Sequence, residues 1–332
     1  MDAESLMNDT KDGTLEIFFI VVLPYFHNTA SLKINSMKNP PIFPPEDPTF
    51  KMPFFYGSLS LIWTYYLVDE KLVLPLLKNT RLRIARFSDP QARGKALISL
   101  NFQNYGSMLG MAVGATNEIE FNVHAFPIMH EASVPVISIQ DYLRGQEQTK
   151  LIGEMRLHVP ADDPIAVQAG VTVFGERKFL TTFNYTVPTP NLPAQRTWDY
   201  TVFDPSAEGD KTKAIYSLSA DLTQIPSTFG NASPLTLYSM LPGGPNRPPG
   251  GLDMDLIGSR WNMFGTYEEF FNLTARDQAK FKITYGKSVH PMSQDMHQIL
   301  GKSPKVIAAR VFTSPPAAAE NRPFYVDLAK KK

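Results

Sequence analysis

The sequence predicts an α+β fold in which antiparallel strands dominate. Three observations predict it. From Tyr56 onward, segments rich in β-branched and aromatic residues alternate with turn residues. Three stretches carry the start and stop signals of a helix. The 28 prolines gather where the chain must change direction and read as loop punctuation.

In chain order, residues 1–50 are expected to be an N-terminal arm ending in a Pro-rich connector, Asn39–Pro48 (NPPIFPPEDP), whose proline spacing permits neither helix nor central strand. Within the arm, Leu15–Leu23 (LEIFFIVVL) is apolar but shorter than the ~20 residues that cross a bilayer. Asp2, Glu4, Asp9 and Asp12 precede it, the wrong sign for a secretory leader. It is read as a strand or packing arm, and the expected address is cytoplasmic.

Residues 51–332 are read as one domain. Strands are expected at Arg81–Phe87, Lys95–Tyr105, Glu118–Phe126, Glu154–Val159, Phe179–Val187 and Thr197–Phe203. More follow at Ala214–Leu222, Leu235–Leu241, Lys280–Tyr285, Lys305–Phe312 and Pro323–Leu328. In Lys95–Tyr105 a period of two puts Ala96, Ile98, Leu100 and Phe102 on one face and leaves Gln103 on a mainly polar one. Helices are expected at Asp69–Leu77, at Pro164–Phe174 and at Pro291–Leu300. The second opens with Asp163 and a first-position proline and stops at Gly175; the third is closed by Gly301. Pro242–Gly251 must be a loop.

Composition excludes several functions. With 32 basic and 32 acidic residues the net charge is +0, so neither a nucleic acid nor a membrane surface is the expected partner. The absence of cysteine removes disulfides, thiolate nucleophiles and Cys-ligated metals. No Rossmann glycine fingerprint, Walker loop or G-x-S-x-G elbow occurs, and His27, His124, His130, His158, His290 and His297 form no H-E-x-x-H or i, i+4 pair. Asp253 and Asp255 read as a solvated turn, and neither a metal nor a cofactor is expected.

One segment stands out. Ile165–Leu180 (IAVQAGVTVFGERKFL) runs from a small-residue helix through Gly175 to Lys178 and on into a strand. With Asn101–Gln103 and Gly114–Glu118 upstream, and His290–Leu300, Val306–Phe312 and Asn321–Val326 downstream, it resembles the acetoacetate decarboxylase superfamily. The resemblance covers most of the chain from about Tyr56. It implies a β-barrel or cone with a few flanking helices, a homo-oligomer and a cofactor-independent lyase acting on a small carbonyl compound. It places the Schiff-base lysine on Lys178 and an active-site glutamate on Glu118. Three positions depart: Gln103 replaces a second glutamate, Tyr66 falls where the arginine that engages the substrate carboxylate is expected, and Phe179 replaces a second lysine. Gln103 and Tyr66 are therefore the expected substrate-binding residues.

The chemistry asks for an unprotonated amine. An ordinary lysine is neutral in roughly one molecule in 2,500 at pH 7. Burial can lower a lysine pKa by ~3–5 units, and desolvation is the activation expected for Lys178; the superfamily's own lysine is a standing example of an activated amine. In an extended segment Arg177 and Phe179 point away from the face Lys178 uses. An imine, once protonated, supports decarboxylation, proton loss or aldol chemistry alike, with Glu118 moving the proton. A decarboxylase is one reading; an aldolase, dehydratase or cyclase, a non-catalytic binder of an apolar or carbonyl ligand, and a structural β-rich protein whose lysine is incidental are the others.

Overall fold

A computed structural model describes residues 43–109, 114–188, 195–242, 254–314 and 318–326, all within one unit, Pro40–Lys332. The first elements are β1 (Phe54–Asp69), α1 (Glu70–Leu77), β2 (Leu82–Ile84), β3 (Lys95–Leu109), β4 (Gly114–Pro127), α2 (Ile139–Leu143) and β5 (Gly153–Ala161). Then come α3 (Pro164–Phe174), β6 (Lys178–Leu180), β7 (Phe183–Thr186), β8 (Thr197–Phe203), β9 (Ala214–Asp221), β10 (Thr228–Asn231) and β11 (Leu235–Pro242). The last are β12 (Met254–Met263), β13 (Thr266–Phe270), α4 (Ala275–Gln278), β14 (Phe281–Tyr285), α5 (Pro291–Leu300), β15 (Val306–Ser314), β16 (Ala318–Glu320) and β17 (Phe324–Tyr325).

The pairings of the larger sheet return on themselves. β1 pairs β3, β3 pairs β4, β4 pairs β5, β5 pairs β11, β11 pairs β12, β12 pairs β16, and β16 pairs β1 again. Closure of this kind protects strand edges and encloses an interior. Among the described residues the parallel contacts are β5 with β11 and β5 with β6. A separate four-stranded sheet runs β14-β9-β8-β7.

Alternation along each strand feeds two cores. Leu59, Leu61, Trp63 and Tyr65 of β1 pack with Leu97, Tyr105, Leu237 and Trp261 inside the ring. Ile62 and Tyr66 of β1 and Ile98, Leu100 and Phe102 of β3 face outward, beneath Trp198, Tyr200 and Leu218 of the small sheet and Met292 and Met296 of α5. Phe102 stacks on Tyr200 with ring centroids 4.5 Å apart, a contact worth ~1 kcal/mol beyond the area it buries.

The helices expected at Pro164–Phe174 and Pro291–Leu300 form at those bounds, and Asp69 caps α1 by accepting from the Lys71 amide. Other elements differ from expectation. The strand read as Phe179–Val187 is two strands in two sheets, because Thr181 bonds back to Ala161 and Phe203 and the chain leaves the ring there. Arg81–Phe87 shortens to β2; of Pro323–Leu328, β17 covers Phe324–Tyr325, and residues 327 and 328 lie outside the described residues. Asp255 is not in a solvated turn: it is buried on β12, 3.5 Å from Arg81. The arm through residue 42, with Leu15–Leu23, and the loop from residue 243 through Asp253 lie outside the described residues. The end of the connector is tied to the body by Arg322, which pairs with Glu46 at 2.9 Å. No helix among the described residues is long and apolar enough to cross a membrane.

Candidate active site

Helix α3 and the turn after it fix Lys178. The Asp163 carboxylate accepts from the amides of Ile165 and Ala166 at 2.7 and 2.9 Å, capping the helix. At the other end Gly175 takes φ +60°, and a Cβ there would meet the Met240 carbonyl oxygen at 2.4 Å, so both conformation and space demand glycine. The chain then enters β6 beside β5, with Lys178 opposite Val159. Lys178 points into the ring, next to Glu118 of β4.

There the amine meets carboxylates. Nζ lies 2.6 Å from Glu118 Oε2 and 3.3 Å from Glu176 Oε2, and the lysine side chain is 6% exposed. The Tyr105 hydroxyl donates to the same Glu118 oxygen at 2.9 Å. Gln103 Nε2 donates to Glu118 Oε1 at 3.4 Å and to Glu120 Oε1 at 3.3 Å, joining the two acids of β4. Burial first, then the charges of nearby glutamates, raises the pKa of Tyr105 and of Tyr56, so both phenols keep their protons.

Arg156 of β5 is the other cation. Its Nη1 contacts Glu176, while its Nη2 lies 2.8 Å from Glu120 and 3.7 Å from Glu320. Burial opposes its charge, but Glu120, Glu320 and Glu118 outweigh burial and hold its pKa above the usual arginine range. Glu320 accepts from Ser259 Oγ at 2.8 Å, and burial, more than its charged neighbours, raises its pKa. A one-residue bulge brings Arg156 here. Phe121 of β4 pairs with His158 and Asn122 pairs with Arg156, leaving Leu157 unmatched. The extra residue shifts the alternation, so Arg156 faces inward while His158 faces outward, stacked on Phe121.

Of the residues expected from sequence, Lys178, Glu118 and Gln103 come together. Tyr66 does not join them. Its parity on β1 places it in the outer core, fully buried, where its hydroxyl donates to Thr64 Oγ1 at 2.9 Å. Phe179 points away from the amine as expected, with its ring 4.3 Å from that of His290. The expectation that desolvation alone would act on Lys178 also changes: the amine is buried, but two carboxylates stand against it. Arg156, Glu176, Glu120, Tyr105 and Glu320 were not anticipated. The Glu-x-Lys spacing of Glu176 and Lys178 and the alternation of Glu118 with Glu120 were readable signals. Arg156 had none, because its direction depends on the bulge.

Lys178, Glu118, Glu176, Arg156, Glu320, Gln103 and Tyr105 line a partly open pocket of about 20 Å³. Phe54, Phe174 and Trp261 form its apolar wall. An amine, a carboxylate within hydrogen-bond distance and a phenol on that same carboxylate are the chemical types that can serve as a nucleophile, a proton carrier and its orienter.

No protein-family model and no curated protein matches the chain by sequence. Solved structures do match by shape. The enduracididine biosynthesis enzyme MppR superposes with a TM-score of 0.55 at 13% identity, over 86% of this chain and 92% of MppR. An acetoacetate decarboxylase-like enzyme from Sphingomonas wittichii RW1 gives 0.52 at 11%, over 84% and 94%. Acetoacetate decarboxylase from Legionella pneumophila gives 0.52 at 12%, over 91% and 98%. The chain has the acetoacetate decarboxylase-like fold.

Proposed function

We propose that this chain is a Schiff-base-forming lyase that activates a small carbonyl compound as an imine on Lys178. The observation that carries the reading is the buried Lys178 amine, 2.6 Å from Glu118 Oε2 at the wall of a cavity. The neighbours in fold support it: they include decarboxylases, and MppR was solved in complex with pyruvate.

The proton inventory closes on two groups. Lys178 passes a proton to Glu118, and the neutral amine attacks the carbonyl carbon, breaking the C=O π bond. Glu118 returns that proton to the oxygen and takes one from the nitrogen. It then gives this second proton to the hydroxyl, which leaves as water with the C–O electron pair. A protonated imine and a Glu118 carboxylate remain. The carboxylate can next take a proton from the adjacent carbon to give the enamine used in aldol-type and dehydration chemistry; in a decarboxylation the same enamine forms instead as the C–CO₂ bond breaks and carbon dioxide leaves. Gln103 and Tyr105 hold the carboxylate in place throughout, since neither need change its protonation.

Borohydride added in the presence of pyruvate, acetone or acetaldehyde should leave a reduced adduct on Lys178, read by peptide mass spectrometry. Total adduct that is undiminished in Lys178→Ala, or that falls on other lysines alone in the wild-type chain, would overturn the assignment.

A further inference from the structure

We propose that the compound taken by Lys178 is uncharged, an aldehyde or ketone without a carboxylate, and that the acidic lining of the pocket, Glu176 foremost, enforces the choice. This rests on the imine reading above.

Two cations line the cavity, Lys178 and Arg156, and three carboxylates line it with them, Glu118, Glu176 and Glu320. Glu120 stands behind, bound to Arg156. Imine formation joins Nζ to the carbonyl carbon and releases the oxygen as water. An ammonium becomes an iminium, and the charge at that nitrogen is unchanged. The site's ionic balance therefore survives the reaction only if the remainder of the substrate brings no charge. A keto acid would add a carboxylate one or two bonds from the reacting carbon, against Glu118 and Glu176, where like charges in a buried setting repel strongly.

No cation lining the cavity stands free to receive that carboxylate. The terminal nitrogens of Arg156 already serve Glu176, Glu120 and Glu320. Its Nε alone lacks an acceptor, and one N–H suits a carbonyl or hydroxyl oxygen, whereas arginine grips a carboxylate with two. Tyr66, at the position where a substrate-binding arginine was sought, faces the outer core. Burial raises the pKa of Glu320; even with a proton on Glu320, the carboxylates Glu118, Glu120 and Glu176 outnumber the two cations. The apolar wall of Phe54, Phe174 and Trp261 offers contacts to a hydrocarbon remainder and none to an anion.

The experiment compares near-isosteres that differ in charge: pyruvate with pyruvamide, and acetoacetate with acetoacetamide. Borohydride trapping on Lys178 of the full chain is measured for each, divided by the compound's own reactivity toward free butylamine. The amides should be trapped faster than the acids by roughly tenfold or more, as a like-charge neighbour of this kind imposes. In Glu176→Gln the ratio should shrink through faster trapping of the acids. Equal trapping, or preference for the acids, in the wild-type chain would overturn the charge argument while leaving Lys178 as the imine-forming residue. Absence of an adduct with all four compounds would overturn the imine reading and this inference together. The wild-type ratio decides the matter even where a variant fails to fold.

Discussion

Gly170 of α3 lies directly against the stem of Lys178: a Cβ at that position would sit 2.3 Å from Lys178 Cδ and 2.4 Å from Glu176 Oε2. The helix can lie over the lysine and its acidic neighbour only because this residue has no side chain. Gly170→Ala should leave the fold intact, since alanine is the better helix former, yet force the amine away from Glu118. Borohydride trapping should fall by ~10- to 100-fold, as misplacement by about an ångström does. Circular dichroism is the control; unchanged trapping would show that the close approach is not needed.

Glu118 is the group asked to carry the proton. Glu118→Gln keeps the size and the capacity to bond Tyr105 but cannot titrate. Trapping should drop by about 10²-fold or more, whereas Gln103→Ala, which removes only a holder of Glu118, should cost less. Stopped-time trapping of one compound across the two variants orders the effects.

Tyr66→Phe tests the correction to the sequence reading. Loss of the hydroxyl removes the bond to Thr64 and costs about 1 kcal/mol of stability. Trapping kinetics should not move, because the ring is across the strand from the cavity. A large change in trapping with an unchanged melt would return Tyr66 to the site.

Stability should also report the inner acids. Burial pushes Glu154 up to about 8, and the folded chain then holds a proton that the unfolded chain, near its ordinary 4.5, has released. Stability from this group falls as pH rises through that interval, by at most ~1.4 kcal/mol per pH unit. Burial pulls His124 down to about 3 from 6.5, so its contribution rises with pH and is complete near 6.5. The lowered His158 and His290 act in the same sense. Between pH 6.5 and 8 the Glu154 slope thus runs unopposed by these histidines. Denaturant melts should lose stability across that window in the wild-type chain and much less in Glu154→Gln. Parallel slopes would contradict the burial of a neutral Glu154.

Local signals read well in this chain because they are self-contained. Asp163, Pro164 and Gly175 announce α3 in one short stretch, and the helix obeys them. Alternation in Lys95–Tyr105 separated Phe102 from Gln103 correctly, one to each face. What depended on distant pairing did not read. Tyr66 looked eligible until β3 fixed its side of the sheet. Glu320 meets Arg156 only because β16 closes the ring between β1 and β12. The long apolar β1 carries no interior turn and was not delimited in advance, though it pairs with three other strands.

The unmatched Leu157 gives β5 a change of phase halfway along its length. A guanidinium and an imidazole two positions apart are thereby sent to opposite compartments. Were Leu157 to take a partner of its own, with β4 and β5 in unbroken register, Arg156 and His158 would share one face, and one of the two basic groups would change compartment. One unpaired residue thus lets a single short strand hold a guanidinium inside the ring and an imidazole outside it.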